Sequence, residues 1–160
     1  MSITIRTGLK PGDLGYITYL HGCIYHEEYG FDTTFEPYVA CPMSDFSLAD
    51  DKSKQRIWIV EMGDKIVGCV AIVDAGGNEA QLRWLLLTKE TRGKGLGKRL
   101  MKEAVDFCRE KRYDNVFLWT IDALHAAGSL YLKNGFKMTE KKRHAMWGIE
   151  VNEQRYELWL

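Results

Sequence analysis

The segment Arg92-Gly93-Lys94-Gly95-Leu96-Gly97-Lys98 stands between an apolar stretch of strand character and an amphipathic helical pattern. Glycine loses more conformational entropy on ordering than any other residue, so three alternating glycines indicate that a ligand or another backbone approaches closely. A helix that begins here presents free backbone N–H groups and a partial positive charge, which together suit an anion. The flanking basic side chains add charge of the kind that attracts a pyrophosphate. A plain glycine-rich turn between strand and helix is the structural alternative.

Two familiar phosphate-binding motifs do not describe this segment. The outer glycines lack the spacing of a P-loop, and no serine or threonine follows the lysine. A dinucleotide-binding fingerprint needs a different glycine spacing and a parallel strand before it, whereas the strands before Arg92 have the pattern of antiparallel hairpins. The segment therefore predicts an anion site without identifying the anion.

The residues on either side of the segment predict strands and one helix. Residues 57–62 and 65–73 flank a Gly63-Asp64 turn as a β-hairpin, and a third strand reaches Leu87. From Gly95 onward apolar residues recur at helical spacing, which predicts an amphipathic helix.

The N-terminal part of the chain predicts a strand and two helices. Ile3 and Ile5 alternate with polar residues, and helical spacing from Leu14 ends at Gly30. Pro42 is expected to break or kink the second helix.

The C-terminal part predicts a strand, a helix and two final strands. The strand covers residues 115–120, Asp122 caps a helix that runs to Asn134, and the strands fall near residues 136–147 and 154–160. The order predicts a mixed α/β (α+β) fold in one domain, residues 1–160.

Composition limits the class of protein. The chain has 160 residues with 46% hydrophobic and 28% charged, which is typical of a globular domain. Its longest apolar run, residues 66–73, falls far short of the roughly 20 residues that span a bilayer. The N-terminus lacks the features of an export signal, and the four cysteines have no metal-ligand or redox spacing. We therefore expect a cytoplasmic protein with free, mostly buried thiols and no metal.

Charge is balanced overall and unevenly placed along the chain. There are 22 basic and 22 acidic residues, of which the first 80 positions hold 6 and 12. Duplex-binding proteins usually carry a basic stripe and excess positive charge, so this distribution predicts no nucleic-acid partner. A small anionic ligand on the C-terminal half is sufficient to account for it.

A second motif lies near the end of the later predicted helix, where Leu130-Tyr131 is followed by Gly135-Phe136. A helical tyrosine is usually a core residue. Taken with the first motif, however, the chain resembles the GNAT superfamily of acetyl-CoA-dependent N-acetyltransferases. Its Arg/Gln-x-x-Gly-x-Gly/Ala loop matches residues 92–97, and its Leu-Tyr-x-x-x-Gly-Phe ending matches residues 130–136.

The resemblance implies a fold and a narrower subgroup. It implies a mixed, mostly antiparallel central sheet of about seven strands, flanked by about four helices. Residues 21–40 and 144–160 further resemble GNAT domains that some bacterial proteins carry behind a MarR-type winged helix.

The resemblance also implies where acetyl-CoA binds. The strand before the glycine-rich segment would pair with the pantetheine arm by β-strand addition, and the amides of the segment would receive the pyrophosphate. The residues assigned to the cofactor are Leu85, Leu86, Leu87, Arg92, Gly93, Lys94, Gly95, Leu96, Gly97, Lys98 and Tyr131.

Acetyl transfer to an amine needs a neutral nucleophile, a stabilised oxyanion and a proton for the departing thiolate. Tyr131 matches the family position that serves as general acid, and a backbone amide near Leu85 would polarise the thioester carbonyl. Glu79 is the leading candidate for the base. His21 and the acidic pair Glu27-Glu28 stand behind it.

The acceptor side is less defined. His144 is a candidate to line its mouth, and a solvated or structural role is the alternative for each candidate. Acidic residues of the helical region favour a cationic amine, and a polyamine, an amino acid, an aminoglycoside or a protein or peptide lysine would all fit. These residues are Glu27, Glu28, Asp32 and Glu36.

One departure from the family pattern concerns the cofactor. Many members place an asparagine seven residues before the tyrosine, where this chain has Leu124. That cofactor contact is therefore in doubt, and Asp122 is a possible substitute although helix capping is its simpler role.

Two other classes compete with an enzyme. A non-catalytic acyl-CoA-binding, sensing or scaffold module would keep the cleft without turnover, and a nucleic-acid module is a distant third. Aromatic residues near the C-terminus, Trp147, Tyr156 and Trp159, suit a homodimer interface as well as a core.

Overall fold

A seven-stranded sheet runs through the computed structural model, which describes residues 2–160. The strands are β1 (Ile3–Thr7), β2 (Arg56–Met62), β3 (Lys65–Asp74), β4 (Glu79–Leu87), β5 (Asn115–Ile121), β6 (Lys137–Met146) and β7 (Ile149–Trp159). The helices are α1 (Asp13–Tyr29), α2 (Phe35–Leu48), α3 (Leu96–Glu110) and α4 (His125–Lys133). The strand order is β1-β2-β3-β4-β5-β7-β6, and only β4 and β5 run parallel. The predicted mixed, mostly antiparallel sheet with four helices is confirmed.

The helices cover both faces of the sheet. On one face α3 buries the predicted apolar stripe, including Leu96, Leu100 and Phe107, in a core that also contains Tyr131 of α4. On the other face α1 and α2 bury a second core around Ile17 and Met43. A sheet with helices on both faces shields its central strands from water.

The sheet opens between β4 and β5. These strands pair only from Glu79 beside Asn115 to Gln81 beside Phe117, and no strand partner continues along that edge of β4 in the described chain. The remainder of the edge, residues 82–87, is therefore left with backbone groups that a ligand can pair with.

A bulge in β4 accompanies this opening. The register with β3 shifts between Cys69 and Ala71, and Trp84 has a φ of 56°, in the left-handed region that large side chains rarely adopt. Before the bulge, Leu82 packs in the α3 core, whereas Trp84 and Leu86 pack in the α1–α2 core. Because the bulge adds one residue to β4, its side chains do not alternate between the two faces there. Residues 83 and 84 therefore both face α1 and α2.

Three local predictions differ from the structure. Pro42 does not break the second helix, since it lies inside α2, whose residues Val39, Met43 and Phe46 on either side of it are buried in the core. Asp122 does not cap α4, whose N-cap is Leu124 with no side-chain hydrogen bond. β7 begins at residue 149, earlier than predicted, because β6 pairs with it from there onward.

The remaining features concern membrane spans and thiols. No helix within residues 2–160 combines the length and apolarity needed to cross a bilayer.

All four cysteines are free, and Cys69 and Cys108 are buried as expected, whereas Cys23 is half-buried and Cys41 is exposed.

Candidate functional site

Two cavities flank the open edge of β4. The inner cavity, about 110 Å³, lies where β4 and β5 diverge beneath α1 and α2. The outer cavity, about 340 Å³, lies between β4, the glycine-rich segment and α4. Tyr25, Leu85 and Leu124 line both, so the two cavities adjoin, and together they are called the cleft.

The outer cavity brings together six of the eleven residues predicted to hold a cofactor, while Lys94, Gly95, Leu96, Lys98 and Tyr131 do not line it. Leu85, Leu86 and Leu87 form one wall, and Arg92, Gly93 and Gly97 lie at one end of it. The opposite wall is apolar and comes from α4, with Ala126, Ala127 and Leu130. An exposed strand edge therefore faces a narrow apolar wall and leads to the glycine-rich segment.

The backbone of the glycine-rich segment is free to bind an anion. In the part of the chain that the structure describes, no N–H from Gly93 to Lys98 donates to a backbone oxygen, and the first helical bond of α3 runs from Arg99 to Gly95. Gly93 and Gly95 have φ of 75° and 78°, which only glycine adopts readily. The start of α3 carries no acidic residue and no side-chain cap. This arrangement has the free donors and the positive potential of an anion site.

Arg92 contributes less to this site than its charge suggests. Its guanidinium binds Glu28 through two hydrogen bonds, Nη1 to Oε1 at 2.7 Å and Nη2 to Oε2 at 2.8 Å, and its Nε donates to the Leu87 carbonyl. The ion pair lowers the pKa of Glu28 and raises that of Arg92. Its backbone N–H already donates to the Lys89 carbonyl. Arg92 therefore ties the segment to α1 more than it faces the cleft, and Glu28 lines neither cavity.

Tyr131 lines the inner cavity and not the outer one. Its side chain is 5% exposed, and its ring packs 5.6 Å from that of Tyr156. Burial, followed by the neighbouring Tyr156, raises the pKa of the Tyr131 hydroxyl. The phenol therefore keeps its proton at neutral pH and can donate it to a stronger base.

His21 also lines the inner cavity, and it is neutral there. Its Nδ1 lies 2.8 Å from the Ile17 carbonyl, so this nitrogen donates and Nε2 holds a lone pair. Nε2 is buried and has no hydrogen-bond partner among residues 2–160. Burial lowers the pKa of His21 to about 4, and the hydrogen bond to Ile17 offsets this only in part.

Glu79 is not in position to act as the base. It lies at the closed end of β4, where it accepts hydrogen bonds from Asn115 Nδ2 at 2.7 Å and Arg155 Nη2 at 3.5 Å. It lines neither cavity, because the strands diverge at the other end of β4. Six residues of strand, roughly 20 Å, separate Glu79 from Leu85. The expectation failed because it assumed that the opening lay at the start of the strand.

A different carboxylate occupies the inner cavity. Glu153 of β7 is 9% exposed and is the only Asp or Glu among the residues that line it. Its Oε1 accepts a hydrogen bond of 2.6 Å from Nε2 of His144, which is half-exposed on β6. His144 therefore lies behind Glu153 rather than lining the cavity itself, and Glu153 was missed because β7 meets β5 only through long-range pairing.

Arg83 brings an unexpected positive charge to the same cavity. Its guanidinium lies over the rings of Tyr38 and Trp84, at 5.9 and 5.4 Å, and no carboxylate within the described chain forms an ion pair with it. Burial lowers its pKa. Arg83 was not predicted as a site residue, although it is the one charged residue in the largely apolar stretch 80–87.

The acidic residues expected to attract a cationic amine do not reach the cleft. Glu27 and Glu36 are exposed, and Asp32 binds the backbone and hydroxyl of Thr34. None of these residues lines the inner cavity. These residues therefore do not place negative charge in the inner cavity.

Comparison with known proteins gives one family. The family model described as the acetyltransferase (GNAT) family matches residues 17–136. N-acetyltransferase 8F1 of Rattus norvegicus is 28% identical over 123 residues, which cover 71% of this chain and 56% of the rat protein. The chain thus spans little more than half the length of that relative.

Solved structures share the fold. A GNAT-family acetyltransferase from Staphylococcus aureus Mu50 superposes with a TM-score of 0.77 at 19% identity, covering 98% of both chains. A GNAT-family acetyltransferase from Elizabethkingia anophelis, solved with acetyl-CoA bound, gives 0.67 at 15% identity, covering 99% of this chain and 98% of that one.

The buried neutral His21 makes stability depend on pH. In the unfolded chain histidine titrates near 6.5, so as pH falls from there toward 4 the unfolded state takes up a proton that the folded state does not. We expect His21→Asn, which can keep a donor near the Ile17 carbonyl, to remove a pH-dependent loss on the order of 3 kcal/mol across this window. The measurement is the denaturant unfolding free energy at several pH values, with the exposed His125→Gln as control. An unchanged slope in His21→Asn would contradict the assignment.

Proposed function

The chain belongs to the acetyltransferase (GNAT) family, and from that premise we propose that it transfers the acetyl group of acetyl-CoA to a primary amine in a ternary complex. The observation that carries the proposal is the cleft, in which the unpaired edge of β4, the free amides of residues 93–98 and a buried tyrosine lie around two adjoining cavities. The inner cavity would hold the amine, and the outer cavity would hold the cofactor.

The outer cavity fits coenzyme A by its chemistry. The open edge of β4 at residues 85–87 offers backbone partners for the two amides of the pantetheine arm, which resemble peptide groups. The free amides from Gly93 to Lys98 and the N-terminus of α3 suit the diphosphate. Leu124 lies where both cavities meet and would contact the arm through apolar surface, in place of the asparagine that many members have there.

The residues of the inner cavity supply the proton transfers. Bound acetyl-CoA supplies a thioester carbonyl that an amine can attack. Glu153 accepts the proton that the ammonium must lose, and His144 holds this carboxylate in place at 2.6 Å. As the C–N bond forms, a backbone amide near Leu85 donates to the carbonyl oxygen. As the C–S bond breaks, the electron pair leaves on sulfur and Tyr131 gives it a proton, while the second proton lost by the new amide nitrogen restores the phenol through water.

The direct route is favoured over a cysteine acyl-enzyme. Burial raises the pKa of Cys69 and of Cys108 to about 12, so neither thiol is a nucleophile at neutral pH. The likeness to MarR-fused domains and a homodimeric state stay predictions.

Release of free thiol tests the proposal most simply. The full chain with acetyl-CoA and a panel of primary amines is expected to release thiol steadily and to form the N-acetylated amine. A non-catalytic acyl-CoA-binding module would be indicated by acetyl-CoA binding without thiol release across the whole panel.

Tyr131→Phe removes the proposed acid and keeps the ring. We expect kcat to fall by roughly 100-fold or more, the usual contribution of a general acid, with coenzyme A affinity unchanged. Steady-state kinetics and calorimetric titration with coenzyme A measure the two effects. Tyr19→Phe, at a position 62% exposed on α1, should change neither. Full activity in Tyr131→Phe would exclude the acid role.

Glu153→Gln removes the proposed base and keeps the shape of the side chain. We expect kcat/KM to fall by roughly 100-fold at neutral pH and to keep rising with pH, because the amine must then lose its proton to water. The control is Glu150→Gln, an exposed site on the same strand. A pH–rate profile identical to that of the parent protein would show that Glu153 is not the base.

A further inference from the structure

The inner cavity is lined by two opposite charges that do not form an ion pair with each other. Arg83 of β4 and Glu153 of β7 both line it, yet they form no ion pair within 4.0 Å. β7 pairs with β5 so that Glu153 lies beside Ile121, and Ile121 belongs to the same α1–α2 core as Trp84. The two charges therefore stand on one face of the sheet, on either side of the gap between β4 and β5.

Arg83 has an incomplete set of partners. A half-buried guanidinium without a carboxylate is costly, and stacking on Tyr38 and Trp84 leaves its N–H groups available. The indole Nε1–H of the neighbouring Trp84 is buried and has no hydrogen-bond partner within residues 2–160, and Trp84 lines the same cavity. A guanidinium and an indole N–H form a donor set suited to a carboxylate.

The same cavity also has groups that suit an ammonium. Glu153 offers a carboxylate, and Nε2 of His21 is a buried acceptor without a partner in the described chain. The three buried side-chain atoms without a partner among residues 2–160, His21 Nε2, Trp84 Nε1 and Thr120 Oγ1, all belong to residues that line this cavity. A ligand with both an ammonium and a carboxylate would bring partners for Glu153 and Arg83 together.

The reaction geometry agrees with such a ligand. Arg83 precedes Leu85 by two positions on β4, so a carboxylate held there keeps the rest of a small molecule close to the amide that would face the thioester. The cavity volume of about 110 Å³ holds several water-sized groups. It suits a small molecule better than a folded protein surface.

We propose that the acceptor is a free amino acid, with its carboxylate bound by Arg83 and its amino group placed at Glu153. The inference rests on the proposed function for the transfer step, but amino acid binding can be measured without it. It selects one class from the amines that the sequence left open.

Matched ligand pairs test the carboxylate directly. With the full chain saturated by coenzyme A, calorimetry measures binding of alanine against ethylamine, leucine against isoamylamine, and phenylalanine against phenethylamine. We expect at least one amino acid to bind about 10- to 100-fold more tightly than its amine, the range for a charge-assisted hydrogen bond. Thiol release from acetyl-CoA is recorded with the same pairs.

Variants of Arg83 test whether this residue is the one that recognises the carboxylate. Arg83→Met is expected to abolish the preference within a pair while leaving coenzyme A binding unchanged, and Arg83→Lys to keep part of it. Arg109→Met, at an exposed site on α3, should leave it intact.

Failure of the amino acid inference and failure of the proposed acetyl transfer give different results. A carboxylate preference without thiol release supports this inference and contradicts the proposed function. Acetylation of the amines with no preference for the amino acids, or a preference that survives in Arg83→Met, overturns the inference and leaves the proposed function standing. Absence of any preference in binding and in turnover across the panel also overturns it.

Discussion

The unpaired edge of β4 is the constraint on which the rest of the molecule depends. A strand edge inside a domain exposes N–H and C=O groups that must find partners, in protein, water or ligand. Here the bulge at Trp84 turns the strand away from β5 after Gln81, so the edge borders a cleft instead of a neighbouring strand. Gly68 of β3 makes this possible, because a Cβ there would lie 2.8 Å from the carbonyl oxygen of Leu86.

The cleft that results has two ends of different character. At the outer end the positive potential comes from backbone, since residues 93–98 offer free amides and α3 offers its N-terminus. At the inner end the charges come from side chains, positive on Arg83 and negative on Glu153, and these two form no ion pair. Tyr131 lines the same cavity. Backbone donors suit a ligand common to a family, whereas side chains can differ from one protein to the next.

The features that depend on residues close together in the chain could be predicted from the sequence. The glycine-rich segment, the helix after it and the tyrosine of α4 follow from spacing, and the seven-stranded mixed sheet follows from the resemblance and the strand patterns. The sequence could not predict which end of β4 opens, because the bulge at Trp84 depends on the register with β3. For the same reason Glu79 was chosen and Glu153 missed, since pairing of β7 with β5 joins residues far apart in the chain. Arg83 was the exception, visible as a lone charge in an apolar strand.

Amide chemical shifts of the ¹⁵N-labelled chain, recorded during titration with coenzyme A, test the central claim most directly. The account predicts large shifts for residues 85–87 and for the amides from Gly93 to Lys98, and pantetheine, which lacks the diphosphate, should shift residues 85–87 and leave the amides of residues 93–98 unchanged. Binding of coenzyme A that leaves the amides of residues 93–98 unchanged would contradict it.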